Sequence, residues 1–326
     1  MPFIALHQAH HNADQCCKSA IGPFTIGVME DPSAPSATAV LPGFDRAAHA
    51  APPQVWFGVS AISRYLGPAF AVLLFPVMGV LGIACFRVAT AAFILAPLTR
   101  PWRTLYYADG PARLLLLGLG ICLAMMNMAF YLALERLPMS LVAAMELCGA
   151  LMVALCGLRS RRNLVALALA AVGVVVLIDL RWVSDMVGLF WAALNAVLFA
   201  GYITLGHRAA VAGAGGGVEQ LGAAMAIAFL LLIPVGFVEA AHAVGMPLVV
   251  LAGIGVGLLS SVIPYVCDQL AMTRLPRSTF ALLMALLPAT ATVMGMIVLS
   301  QLPSARDLLG IALVTAGIAL HRPTRR

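Results

Sequence analysis

Charge is what this chain has least of. Only 10% of its 326 residues are charged, 62% are apolar, and Lys18 is its single lysine. Soluble domains carry about 25% charged and about 45–50% apolar residues, so a soluble globular protein is excluded. Alternating strand patterns are also missing: residues 114–134 and 221–237 are apolar all round, which rules out an outer-membrane barrel and calls for helices. No disulfide framework is present either, because Cys85, Cys122, Cys148, Cys156 and Cys267 fall inside apolar runs, where a thiol behaves as a small hydrophobe. The chain lacks a phosphate loop, a Gly-x-Ser-x-Gly elbow and a His-Glu-x-x-His pair. ATP-driven transport by this chain alone is therefore excluded, no nucleophile and base can be named for a membrane-embedded enzyme, and no cofactor is expected. His7, His10, His11, Cys16 and Cys17 match no zinc spacing, so no metal is expected. The net charge of +6 comes from scattered arginines and does not make a nucleic-acid surface.

What is present is apolar sequence in quantity. A membrane helix takes about 20 residues, and ten of them would use about 200, close to the apolar content of the chain. Residues 1–54 differ from the rest, with prolines at 2, 23, 32, 35, 42, 52 and 53 and four histidines, and read as a disordered cytoplasmic tail. Its apolar patch at 21–29 is interrupted by Pro23 and closed by Glu30 and Asp31, against a signal peptide; Met29 is an alternative start. From Val55 onward the pattern predicts an all-α integral membrane fold with ten spans. These lie near 56–75, 78–98, 113–133, 138–157, 163–180, 186–206, 218–238, 247–268, 278–299 and 306–321.

Ten spans place Arg100, Arg103, Arg113, Arg159, Arg161, Arg162, Arg208, Arg274, Arg277, Arg322, Arg325 and Arg326 on one side. Only Arg136, Arg181 and Arg306 fall on the other, so the positive-inside rule predicts both termini in the cytoplasm. The chain also repeats itself. Glu135-Arg-Leu-Pro-Met-Ser140 matches Thr273-Arg-Leu-Pro-Arg-Ser278 at an offset of 138, and Ala168, Leu169 and Gly173 match Ala312, Leu313 and Gly317 at an offset of 144. Two five-helix halves, 55–181 and 182–321, are expected, followed by a basic cytoplasmic end at 322–326. Five is odd, so the halves must be inverted in the membrane, with a substrate site near the midplane between them.

Charges inside spans are costly and are functional candidates by default. Glu146 lies well inside the fourth span, where a carboxyl can exchange a proton for a substrate amine or serve as a structural carboxyl that is permanently protonated or paired. Arg87, in the second span, reads as the basic residue farthest from a membrane surface. It either takes a substrate carboxylate bidentately or pairs with Glu146 as a structural lock. Asp268 lies near the end of the eighth span, where a helix-end role competes with a transport role. Asn127 and Tyr131 are four apart on one helical face. The 138-residue offset pairs Tyr265 with Asn127, and all three are candidates for lining a cavity, with interhelical bonding as the alternative. Pro234, Pro264 and Pro288 interrupt spans seven, eight and nine, freeing carbonyls and permitting hinges at Pro264 and Pro288. Gly253-Ile-Gly-Val-Gly257 reads as a close-packing face.

Several long motifs occur in order: Phe86-Arg-Val-Ala-Thr-Ala with Arg100-Pro-Trp-Arg103, then Phe130-Tyr-Leu-Ala-Leu-Glu-Arg-Leu-Pro138 running on to Ala144-Met-Glu-Leu147. The second half adds Leu259-Ser-Ser-Val-Ile-Pro-Tyr265 and Thr273-Arg-Leu-Pro-Arg-Ser-Thr-Phe280. On these the chain, from about 55 to 321, resembles the EamA branch of the drug/metabolite transporter superfamily, and within it the bacterial inner-membrane amino-acid exporters. The resemblance implies ten helices in two inverted repeats and export of amino acids or related metabolites, driven by the proton gradient. It also places Arg87 and Glu146 where those exporters have an arginine and a glutamate. The chain departs from them in having Leu287 before Pro288, Asp268 near the end of the eighth span and Gln301 after the ninth, where they carry glutamates.

The expected function is secondary export by alternating access, with a small-molecule substrate, protons and the lipid bilayer as partners, no nucleic acid, and a homodimer left open. The alternatives are a broad-specificity efflux pump for apolar cations and, in another class, a non-transporting membrane scaffold or accessory subunit.

Overall fold

The computed structural model describes residues 51–157, 161–177, 185–211, 217–272, 283 and 286–320. Nearly all of the expected tail, the basic end at 322–326 and the second repeat motif at 273–280 lie outside the described residues. Those described are helical throughout, without a strand. In chain order the helices are α1 (Pro53–Met78), α2 (Val80–Thr99), α3 (Pro101–Tyr107), α4 (Gly110–Leu134), α5 (Met139–Gly157) and α6 (Arg161–Leu177). They continue with α7 (Met186–Val211), α8 (Gly217–Val244), α9 (Pro247–Gly257), a π-helical turn (Leu258–Val262), α10 (Ile263–Met272), α11 (Leu287–Leu299) and α12 (Ala305–Leu320). The segment from α9 through α10 is one continuous rod.

Local sequence sets several of these boundaries. Prolines open α1, α3, α4 and α9 in their first turns, where an N–H would have no helical partner. Gly79, at φ +70°, ends α1 and begins α2, and a side chain there would run into Glu239. Glu239 of α8 accepts hydrogen bonds from the N–H groups of Leu81 (2.8 Å) and Gly82 (3.2 Å), so this carboxylate caps the N-terminus of α2 from a neighbouring helix.

Six described helices or rods are long and apolar enough to cross a membrane: Pro53–Met78, Val80–Thr99, Gly110–Leu134, Met186–Gly206, Glu219–Ala241 and Pro247–Asp268. Met139–Gly149, Leu164–Leu177 and Leu287–Leu299 are shorter apolar stretches. Phe93, Leu114, Val175, Val197, Leu230, Phe237, Val238, Leu251 and Ile297 are exposed. So much apolar surface facing outward suits lipid rather than water. The short α3 presents Trp102, Tyr106 and Tyr107 outward, the residue types that sit at headgroup level.

Contacts between helices α1–α6 and helices α7–α12 dominate the packing. Helix α2 lies along α8, α4 along α7, α6 along α12, and α1 along the α9–α10 rod, with α5 contacting both α7 and α11. The α6–α12 pair is antiparallel and reciprocal. Arg162 Nε, at the start of α6, donates to the Leu320 carbonyl at the end of α12 (2.8 Å); Arg306 Nε, at the start of α12, donates to the Val176 carbonyl near the end of α6 (3.0 Å). Donors and acceptors are each 144 residues apart, the offset that relates Gly173 to Gly317. Both glycines sit at the crossing. A Cβ on Gly173 would lie 2.8 Å from the Gly310 carbonyl, and one on Gly317 would lie 2.6 Å from the Ala166 carbonyl. Without hydrophobic drive between helices in lipid, such close backbone approach holds the pair together. Gly317→Leu should force these helices apart at a cost of about 1–3 kcal/mol. Thermal unfolding in detergent should show it as a midpoint several degrees lower, whereas an unchanged midpoint would mean that the crossing tolerates a side chain.

Candidate functional site

The site begins with a missing proton. Pro264 has no N–H to give to the carbonyl of Ser260, four residues back, and the chain there widens into the π-helical turn Leu258–Val262. Arg87 of α2 fills that need: its Nη2 donates to the Ser260 carbonyl (3.3 Å) and its Nε to Ser261 Oγ (3.0 Å). Small residues make the approach feasible. Gly67 of α1 lies so close that a Cβ there would stand 2.7 Å from the Ser260 backbone nitrogen, and Gly257 packs against Thr90 of α2. Gly253 packs against Phe86 and Met78, so the glycines at 253 and 257 form the close-packing face expected of them.

The guanidinium of Arg87 also lies over two rings of α4, 5.7 Å from the centroid of Phe130 and 5.5 Å from that of Tyr131. Such cation–π contacts stabilise a desolvated arginine by about 2 kcal/mol. They do not neutralise it. Among the described residues Arg87 makes no ion pair, so the structural lock with Glu146 that its sequence position allowed is not formed.

Glu146 sits on α5, half-buried, and accepts a hydrogen bond at Oε2 from Asn195 Nδ2 of α7 (3.3 Å). Gly149, one turn further on, lets α5 come within a side-chain diameter of the α7 backbone at Ala196. Glu146 makes no ion pair among the described residues, yet it lies within Coulombic reach of Arg64 and Arg87.

A second polar group ties α1 to α10. Arg64 Nη2 pairs with Asp268 Oδ2, while Ser60 Oγ hydrogen-bonds to Asp268 Oδ1 and to the Pro264 carbonyl. Asp268 is therefore neither a helix-end cap nor a snorkelling group but half of an interhelical ion pair.

With this geometry in view, comparison with known proteins is decisive. Residues 186–321 match the EamA-like transporter family. Across most of its length the chain is 34% identical to the threonine/homoserine exporter RhtA of Escherichia coli K12, over 267 residues covering 81% of this chain and 89% of that protein. The threonine/homoserine exporter RhtA of Salmonella typhimurium is 34% identical over 253 residues, covering 77% of this chain and 84% of that one. The chain belongs to the EamA-like transporter family. It is a membrane transporter and not an enzyme.

Not every candidate of this EamA-like chain converges on one place. Arg87 and Tyr131 are in contact, and Glu146 lies near them. Asn127 is buried and its Nδ2 donates to the Leu123 carbonyl of its own helix (2.8 Å), while Tyr265 packs against a separate apolar cluster around Cys85, Val88 and Leu232. Pro288 does not interrupt α11 but sits in its first turn, where the lost N–H costs nothing. Leu287 is buried in the main core. Gln301 accepts from the Met139 N–H at the start of α5 (3.3 Å), a capping task that an amide oxygen performs as a carboxylate would.

Four participants, Arg64, Asn195, Ser260 and Ser261, stand outside the expected site residues. Arg64 lies midway along α1, as far from the helix ends as Arg87 or farther, which corrects the expectation that Arg87 is the deepest cation. Its signal was in the sequence, a charge in the middle of an apolar span. Asn195 and the Ser260–Ser261 pair had no such signal, because small polar residues occur throughout membrane helices as interhelical glue.

Proposed function

We propose that this protein is a secondary exporter of amino acids or closely related small metabolites, working by proton-coupled alternating access in the bacterial inner membrane with both termini cytoplasmic. One observation carries the reading. Arg87 and Glu146, opposite in charge and close in space, each have neutral hydrogen-bonding or aromatic partners and no ion-pair partner among the described residues. An α-amino acid is the complement of that arrangement. Its carboxylate matches the planar donors of Arg87, and its ammonium matches Glu146. The export of threonine and homoserine by relatives of 34% identity supports the same class of substrate.

Two inverted five-helix halves, 55–181 and 182–321, suit such a mechanism. The reciprocal α6–α12 pair supports them, since an in-plane twofold axis makes a helix and its own repeat antiparallel and pairs their contacts at a constant offset. In the proposed cycle Glu146 carries a proton inward when no substrate is bound and releases it as the ammonium arrives. Arg87 orients the carboxylate.

The test is efflux from proteoliposomes loaded with labelled amino acids and, separately, small apolar amines, under an imposed pH gradient. Gradient-driven loss of at least one amino acid is expected, falling by roughly tenfold or more in Arg87→Ala, as when a charge-assisted contact worth about 1.5–3 kcal/mol is removed. Efflux of amines alone, indifferent to Arg87→Ala, would overturn the reading in favour of a cation pump. No efflux of either would leave a non-transporting membrane protein.

A further inference from the structure

Between α2 and α4, both long and apolar enough to cross a membrane, the chain turns back through the seven-residue helix α3, whose two sides differ in kind. Pro101 and Ala108 are buried, and Leu105 and Ala108 pack with Ala112, Ala209 and Ala223. The other side holds Trp102, Arg103, Tyr106 and Tyr107, with the three aromatic residues 59%, 76% and 74% exposed. Arg100 enters this helix in the left-handed conformation (φ 47°, ψ 59°) and is also exposed. It stands one turn before Arg103, whose N–H donates to the Arg100 carbonyl (2.8 Å).

The arrangement is fastened in place. Arg113, in the first turn of α4, donates from Nε to the Leu105 carbonyl (3.1 Å) and from Nη2 to the carbonyls of Tyr106 (3.2 Å) and Ala108 (3.3 Å). These are carbonyls at the end of α3 that its own helix leaves without partners, so the aromatic side is held against the start of α4. Phe93 on α2 and Leu114 on α4 are exposed, so apolar surface reaches this end of both helices.

Water and hydrocarbon are both poor surroundings for such a face. Three aromatic side chains exposed together are unfavourable in water, while arginines are costly in hydrocarbon. The headgroup layer accommodates both. The face is also nearly of one sign: residues 100–113 hold three arginines and a single acid, Asp109, and no ion pair engages Arg100 or Arg103 among the described residues. A zwitterionic headgroup carries its own ammonium beside the phosphate, whereas an acidic headgroup brings net negative charge to these guanidiniums. A stable protein partner takes about 20–30 residues on each side, far more than this face offers.

We propose that the exposed side of α3 is a docking surface for acidic phospholipid, at which Arg100 and Arg103 attract the anionic headgroups and Trp102, Tyr106 and Tyr107 sit at headgroup level. The proposal is independent of the export reading, and its test measures no transport.

Trp102 supplies the probe. The full chain is reconstituted in bilayers containing brominated phosphatidylglycerol or brominated phosphatidylcholine, and quenching of Trp102 is taken as the difference between a protein with it and the matching Trp102→Phe protein. Wild type should favour phosphatidylglycerol by roughly tenfold, as two arginines near an anionic surface would produce. Combining Arg100→Asn, a residue that tolerates the left-handed conformation, with Arg103→Gln should reduce the preference to about twofold or less while quenching by phosphatidylcholine persists. If that variant fails to reconstitute, the same loss in wild type at about 1 M salt decides the matter. Equal quenching by the two lipids, or a preference that survives removal of both charges, overturns the proposal. Quenching of Trp102 by neither lipid overturns it in favour of a face covered by protein.

Discussion

Gradient-driven export should fall to background in Glu146→Gln, by on the order of a hundredfold, with the protein still folded. Glutamine keeps the length of the side chain and an acceptor for Asn195 Nδ2, so the contact between α5 and α7 survives. What it loses is the ability to carry a proton and to neutralise an ammonium. A bare cation inside a membrane bundle costs about 2.5–3.5 kcal/mol on insertion scales, and at about 1.4 kcal/mol per factor of ten this corresponds to about a hundredfold. Efflux is measured in proteoliposomes with and without an imposed pH gradient, alongside the thermal unfolding midpoint in detergent. Background export at an unchanged midpoint is the expected result; gradient-driven export at the wild-type rate would remove Glu146 from the coupling.

The largest loss of stability should come from Asp268→Asn. This change leaves Arg64, in the middle of α1, without the carboxylate that it pairs with across the bundle. Removing one partner of a buried pair costs about 3–5 kcal/mol. The Asp268 side chain is 16% exposed but that of Arg64 is 34% exposed, so about 2–3 kcal/mol is the better expectation here. Ser60→Ala removes only one of the bonds to Asp268 and should cost about 1 kcal/mol. Combining Arg64→Leu with Asp268→Leu removes both charges and should recover most of the loss, because the penalty lies in the uncompensated charge. A double-mutant cycle on thermal midpoints measures this directly. If the double variant is as unstable as Asp268→Asn, side-chain packing at these positions matters more than their charge. Because the pair joins α1 to α10, it also holds the rod that carries Ser260 and Ser261 against α1.

The repeat at 144 residues is legible in the sequence, but its consequence is not. Ala168, Leu169 and Gly173 recur along the chain as Ala312, Leu313 and Gly317; packing turns the coincidence into a reciprocal helix pair with matched arginine-to-carbonyl bonds at both ends. Pro264 gives a similar lesson. That it frees a carbonyl follows from proline chemistry alone, but the recipient is Arg87, 177 residues earlier in the chain. For Glu146 the sequence offers Arg87 as one partner, and the fold supplies Asn195 instead.

By itself the sequence determined that this is a helical membrane protein, and that Arg87 and Glu146 are costly enough to need a purpose. Composition and span length decide such matters, because the membrane penalises a charge in the middle of a span. Only the tertiary structure decided which charges are paired. Arg64, Arg87, Glu146 and Asp268 look alike as charges within apolar runs, yet Arg64 and Asp268 neutralise each other while Arg87 and Glu146 do not. A salt bridge depends on distances of a few ångströms between helices far apart in sequence, and the rotation of each helix sets those distances.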